Sequence, residues 1–192
     1  ELGEARIAIE HIIRDAHRAS EVIQRIRNLA VYSDPERTPL DINEAIDETL
    51  HLLQSELQRQ RVSLRLELAP KLPRILGDRV QLQQVVINLV MNGAEAMAKV
   101  DDRPRELRIG SHLHDHDQLL VDVQDVGVGI DAAHADRLFA AFVTSKQGGM
   151  GMGLPICKSI IEAHDGRLWA TNNDDHGATF QFTLPVCRKG AH

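Results

Sequence analysis

The order of amino acids predicts a two-layer α/β sandwich with a mixed, mostly antiparallel sheet, preceded by one long heptad-patterned helix. Three observations carry this. Pairs of strand-like segments are interrupted by helices instead of alternating with them, which excludes a Rossmann-type order. The segment Val62–Leu68 alternates apolar residues (62, 64, 66, 68) with Ser63, Arg65 and Glu67. Near the start, Ala5, Ile9, Ile12, Ala16, Ala19, Ile23, Ile26 and Ala30 recur in alternating steps of four and three, the seam of a helix that packs on a partner helix.

The elements follow in order. Residues 1–30 are the heptad helix, with Arg6, Glu10, Arg14, Asp15 and Arg18 among its outward charges. One helix cannot bury its own seam, so the expectation is an intermolecular bundle. Residues 31–40 contain Pro35 and Pro39 among polar residues and read as a linker. Asp41 followed by Glu44 fits a capping box, with Ile42, Ala45, Ile46, Leu50, Leu53 and Leu57 as the buried face. Val62–Leu68 is expected to be a half-buried strand. Asp78 and Gln81 cap a second helix that turns Leu82, Val85, Val86, Leu89 and Val90 inward and runs to about Ala98. Residues 106–113 and 119–125 read as paired strands, and a loop-rich stretch reaches Gly153. A helix then runs from about Leu154 to His164 and is ended by Gly166. Residues 167–172 and 178–184 form a final hairpin, and 188–192 a tail.

Composition narrows the function. The 192 residues are 43% hydrophobic and 26% charged, with a net charge of −6. That is the balance of a globular domain without the basic footprint of a nucleic-acid binder. No apolar run approaches the roughly 20 residues of a membrane span, so no membrane contact is expected from these residues. The chain opens at Glu1 without Met and is read as a fragment, with any anchor outside it. Cys157 and Cys187 stand alone without metal-type spacing, and a reducing, cytoplasmic setting is the expectation. His112, His114 and His116 alternate with Asp115 and Asp117. They read as a polar hairpin turn, with a metal site as the lesser alternative.

Three clusters carry chemistry. Asn88 and Asn92 lie four apart on one helix face. Asn is a poor helix former, and its carboxamide oxygen suits a hard cation such as Mg²⁺. Asp125 closes a strand and is followed by Gly127 and Gly129. It can accept a hydrogen bond from a ligand amino group while the glycines let a flat ligand approach. Gly148-Gly149-Met150-Gly151-Met152-Gly153-Leu154 leads into a helix, a phosphate cradle by virtue of its free amides and the helix dipole. No Gly-Lys-Ser/Thr follows, so it is not a Walker A loop.

In order, spacing and context these clusters resemble the N, G1 and G2 boxes of the Bergerat-type ATP-binding domain, most closely that of two-component sensor histidine kinases. Phe139-Ala140-Ala141-Phe142-Val143-Thr144-Ser145-Lys146 is similar to the family's F box. Gly77-Asp78, Ile160–Leu168 and Gly177-Ala178-Thr179-Phe180 resemble its flanking segments, and the likeness spans about residues 41–185 within a catalytic domain read as 41–187. Three departures are mild: Val126 stands for a frequent Asn, Gly93 for a common Ala, and Pro155 falls in a first helical turn. The resemblance implies ATP and Mg²⁺ as cofactors. Asn92 would bind the metal with Asn88 in support, and Asp125 would accept from the adenine amino group. Gly127 and Gly129 would pass the base. Gly149, Gly151 and Gly153, with Leu154, would line the triphosphate. Residues 131–153 would form a lid latched by Phe139 and Phe142, and Lys146 would meet the γ-phosphate. Residues 1–30 would be the second helix of a dimerising hairpin. His11 and His17 lack the acceptor pattern, so the phosphoacceptor histidine is expected outside this chain, and the fragment is not expected to phosphorylate itself. Expected partners are that acceptor helix, a response-regulator receiver domain and a second copy in a homodimer. Two alternatives share the fold: an ATP-hydrolysing conformational machine and an anti-sigma-type serine kinase.

Overall fold

The computed structural model describes residues 37–115, 117–132, 135–140 and 151–187. The heptad helix, the tail, and Phe142, Lys146 and Gly149 lie outside the described residues. Strand β1 is Thr38–Leu40, helix α1 Ile42–Arg59, β2 Ser63–Leu68, β3 Ile75–Gly77 and α2 Arg79–Ala96. They are followed by β4 Glu106–Asp115, β5 Gln118–Asp125, a 3₁₀ turn Ala135–Arg137, α3 Gly153–Ala163, β6 Arg167–Asn172 and β7 Ala178–Pro185. Among these residues no helix is long and apolar enough to cross a membrane.

Local chemistry sets the helix starts. Asp78 caps α2 by accepting from the Gln81 amide at 3.1 Å. Asp41 caps α1 through the Asn43 amide at 2.8 Å, one residue earlier than the capping box predicts. Met152 precedes α3 without a side-chain cap. Pro155 costs α3 nothing there, because first-turn amides have no intrahelical acceptor.

The main sheet has the order β2-β4-β5-β7-β6, with β2 parallel to β4 and all other pairs antiparallel. The helices cover one face. Leu107, Ile109, Val121, Val123, Phe180, Phe182 and Leu184 point into them and form the core with Leu82, Val85, Val86, Leu89 and Val90 of α2. The register sets the opposite face. Asp122 lies across from Gly110 on one side and Gln181 on the other. Arg108 joins Asp122 at 2.6 Å and Glu67 at 3.0 Å, and Trp169 donates to Gln181 at 2.8 Å. A polar ladder therefore runs across the sheet on the face where no helix among the described residues packs, and its long side chains leave Asp122 only 4% exposed.

Two readings change. Thr38–Leu40, assigned to the linker, pairs antiparallel with Ile75–Gly77 in a small second sheet. Three-residue strands, one with Pro39 inside, are too short to show a period. The strand Ser63–Leu68 is not half-buried: Leu64 is 37% and Leu66 45% exposed. Both share the helix-side register of Leu107 and Ile109, but β2 is the sheet edge and the cover stops short of them. The hairpin reading of the histidine segment holds in part: β4 and β5 pair antiparallel, but His112 and Asp115 lie in the ladder itself, opposite Leu120 and Gln118, and not in a turn.

Candidate functional site

Asp125 ends β5 with only 2% of its surface exposed. Its Oδ1 accepts from the amides of Gly127 at 2.8 Å and Ala178 at 3.3 Å. Burial pushes its pKa above the ordinary carboxylate value, and these two bonds pull the other way. Two glycines make room for it. Gly177 has φ +80°, and a Cβ there would stand 2.1 Å from the Asp125 carbonyl oxygen. At Gly93 of α2 a Cβ would stand 2.5 Å from Leu107 Cδ1 and 3.4 Å from Asp125 Cβ. Glycine at 93 thus lets α2 press onto Leu107 of β4, and the same close approach puts α2 in contact with the end of β5.

That contact brings the clusters together. Asn92 directly precedes Gly93, and Asn88 lies one turn earlier on the same half-buried face. Asn88 looks toward α3, with its Cγ 3.9 Å from where a Cβ on Gly153 would stand. Beneath it lies the buried thiol of Cys157, whose pKa burial pushes up to about 12 against a hydrogen bond with Asn88. Asn88, Asn92, Asp125 and the start of α3 therefore frame one region at the ends of α2 and β5.

The loop after Asp125 runs against the end of α2. A Cβ on Gly127 would meet the Ala96 carbonyl at 2.7 Å, and the Val128 amide donates to that carbonyl at 3.3 Å. Gly129 takes φ +75° and Gly151 φ +62°. Leu154 and Phe139 are partly buried against the core.

Several residues at this site were not expected. Asn172 holds Ile130 from both sides, accepting from its amide at 2.6 Å and donating to its carbonyl at 2.9 Å. Asn173 donates to the Asp125 carbonyl at 2.9 Å and accepts from Thr179 at 2.6 Å. Arg103 donates to the carbonyls of Val126 at 3.0 Å and Gly127 at 3.3 Å. Gly177 was seen only as part of a closing motif. A glycine between two strand-forming runs is the one local signal, and it does not say which carbonyl demands it.

The residues present suit an adenine nucleotide with a divalent cation: a buried carboxylate acceptor, two carboxamides on one helix face, and a glycine-led helix start. Comparison with known proteins bears on the nucleotide. The family described as histidine kinase-, DNA gyrase B-, and HSP90-like ATPase matches residues 77–188. The sensor protein TdiS of Thauera aromatica is 39% identical over 181 residues, 94% of this chain and 32% of that protein. The chain thus spans about a third of that relative's length. The catalytic domain of histidine kinase ThkA superposes with a TM-score of 0.69 at 30% identity, over 79% of this chain and 98% of that one. ThkA in complex with the response regulator protein TrrA gives 0.75 at 25% identity, over 94% of this chain and 51% of that one. This chain belongs to the histidine kinase-, DNA gyrase B- and HSP90-like ATPase family, and within it carries an ATP-binding domain of the sensor histidine kinase kind.

Proposed function

We propose that this chain is the catalytic part of a sensor histidine kinase. It holds ATP so that the γ-phosphoryl group passes to a histidine outside the chain and from there to a response regulator, in the cytoplasm. The observation that carries this is the Asp125 carboxylate, buried at a strand end with both backbone bonds on Oδ1. Oδ2 is left to accept from the adenine amino group. Gly127 and Gly129 give the base its approach. Gly151, Gly153 and Leu154, at the start of α3, turn amides toward the phosphates. By motif alone Gly149, Phe142 and Lys146 join that end. Asn92, supported by Asn88, would hold Mg²⁺, which when bound neutralises phosphate charge during transfer.

This chain's own contribution is orientation and exclusion of water, not proton abstraction. A conformational ATPase of this fold needs a carboxylate one helical turn before the metal-binding asparagine to activate water. Asn88 stands there, and a carboxamide cannot take the proton. A response regulator as partner is supported by the ThkA–TrrA likeness, and a homodimer by the heptad seam.

The test is incubation of this chain with γ-labelled ATP and Mg²⁺, with and without a separate helical hairpin bearing an acceptor histidine. Acid-labile, base-stable label on the added hairpin is expected. Free phosphate release with no labelled protein would favour the ATPase alternative, and acid-stable label on serine the anti-sigma alternative.

A further inference from the structure

The loop Asp125–Ile130 is gripped by side chains from two distant segments. Asn173 takes the carbonyl of Asp125, Arg103 those of Val126 and Gly127, and Asn172 both the amide and the carbonyl of Ile130. Asn172 is the informative member. It sits at the end of the edge strand β6 and is exposed, so it adds nothing to the core. Yet both halves of its carboxamide are committed to a backbone 42 residues away. Its Oδ1 also lies 2.9 Å from where a Cβ on Gly129 would stand. The grip therefore sets the path of the chain at the residue whose φ of +75° turns it.

A short glycine-rich loop has many conformations open to it, and closing it around a ligand costs conformational entropy. A loop already fixed in the accepting shape avoids that cost at binding. We infer that Asn172, with Arg103 and Asn173 in support, is a positioning residue for the adenine end of the nucleotide. It holds Gly127–Ile130 in the shape that takes the base before the ligand arrives. This inference rests on the ATP-binding reading. It adds residues from the β6–β7 turn and the segment before β4 that the glycine and asparagine motifs do not contain.

The test compares the whole chain with Asn172→Ala and Asn172→Asp. The Asp variant keeps an acceptor for the Ile130 amide but sets an oxygen against the Ile130 carbonyl, so it does not restore the grip. Three quantities are read: amide hydrogen exchange at Ile130, the urea midpoint, and calorimetric affinity for ATP and for ADP. In both variants Ile130 exchange quickens, and the urea midpoint falls by no more than one hydrogen bond's worth. Affinity falls about tenfold, the loss of a hydrogen bond's worth of pre-ordering. The loss is equal for ATP and ADP, because the γ-phosphate end is untouched. Unchanged affinity in a parent that binds well overturns this inference alone. So does a loss confined to ATP, or an affinity loss with no quickening of exchange at Ile130. A parent chain that binds neither nucleotide overturns the ATP reading and this inference with it.

Discussion

Replacing Asp125 by Asn should separate binding from stability, and in opposite directions. Two backbone amides, at 2.8 and 3.3 Å, point at Oδ1. In the variant the carboxamide oxygen must occupy that place, because an NH₂ group there would face two donors. The NH₂ then stands where Oδ2 stood and meets the adenine amino group donor to donor. A charge-assisted hydrogen bond is worth about 1.5–3 kcal/mol, so affinity falls roughly ten- to hundredfold or more. Stability moves the other way. Burial raises the Asp125 pKa in the folded chain, so the neutral form is the one the fold favours. That contribution is present below the unfolded-state pKa and is lost as pH rises through the folded-state value. At neutral pH the wild type therefore carries a desolvated charge that Asn does not. The urea midpoint of Asp125→Asn should equal or exceed that of the parent at pH 7, and the difference should vanish in acid where Asp125 is protonated. Calorimetry with ADP and urea unfolding at both pH values check this. Unchanged affinity would remove Asp125 from the site. A midpoint that drops at pH 7 would refute the electrostatic reasoning.

Two further outcomes concern its neighbours. Asn92→Ala should weaken Mg²⁺-ATP roughly tenfold more than metal-free ATP, as expected for loss of a contact to a charged group; equal losses in paired titrations would remove the metal role. Gly177→Ala forces a side chain to φ +80° and against the Asp125 carbonyl. It should cost about 1–3 kcal/mol by urea unfolding from backbone strain, and nucleotide affinity should fall as Asp125 is displaced.

What could be read in the sequence follows from the range of each constraint. Asp78 and Gln81 announced a helix start because a cap acts over three residues. Asp125 stood out because its chemistry and its two glycines are adjacent in the chain. The alternation of Val62–Leu68 gave a strand and the correct facing side, but not that β2 lies at the sheet edge, which depends on where α1 ends its cover. The strands at Thr38–Leu40 and Ile75–Gly77 exist only through each other and leave no local pattern. Asn172, Asn173 and Arg103 were invisible for a different reason. They bond to backbone groups, which every residue possesses, so their partners carry no recognisable side chain. Gly177 is required by a carbonyl far earlier in the chain, a demand no window of neighbouring residues contains.

His164 sits buried just past the end of α3, with Nδ1 donating to the Ile160 carbonyl at 2.7 Å and Nε2 accepting from the Asp78 amide at 3.0 Å. One neutral ring thus rivets the end of α3 to the beginning of α2, while Gly153 and Asn88 face each other far from it. Between these two ends the helices stay packed, with Cys157 Sγ 3.9 Å from the Val85 carbonyl and Ile161, Leu82 and Val85 buried in the same core. With 11 residues and a rise of about 1.5 Å each, α3 is about 16 Å long. His164 is thus the far corner of the frame in which Asn88 meets Gly153, tying α3 to α2 through two backbone groups at the end opposite that meeting.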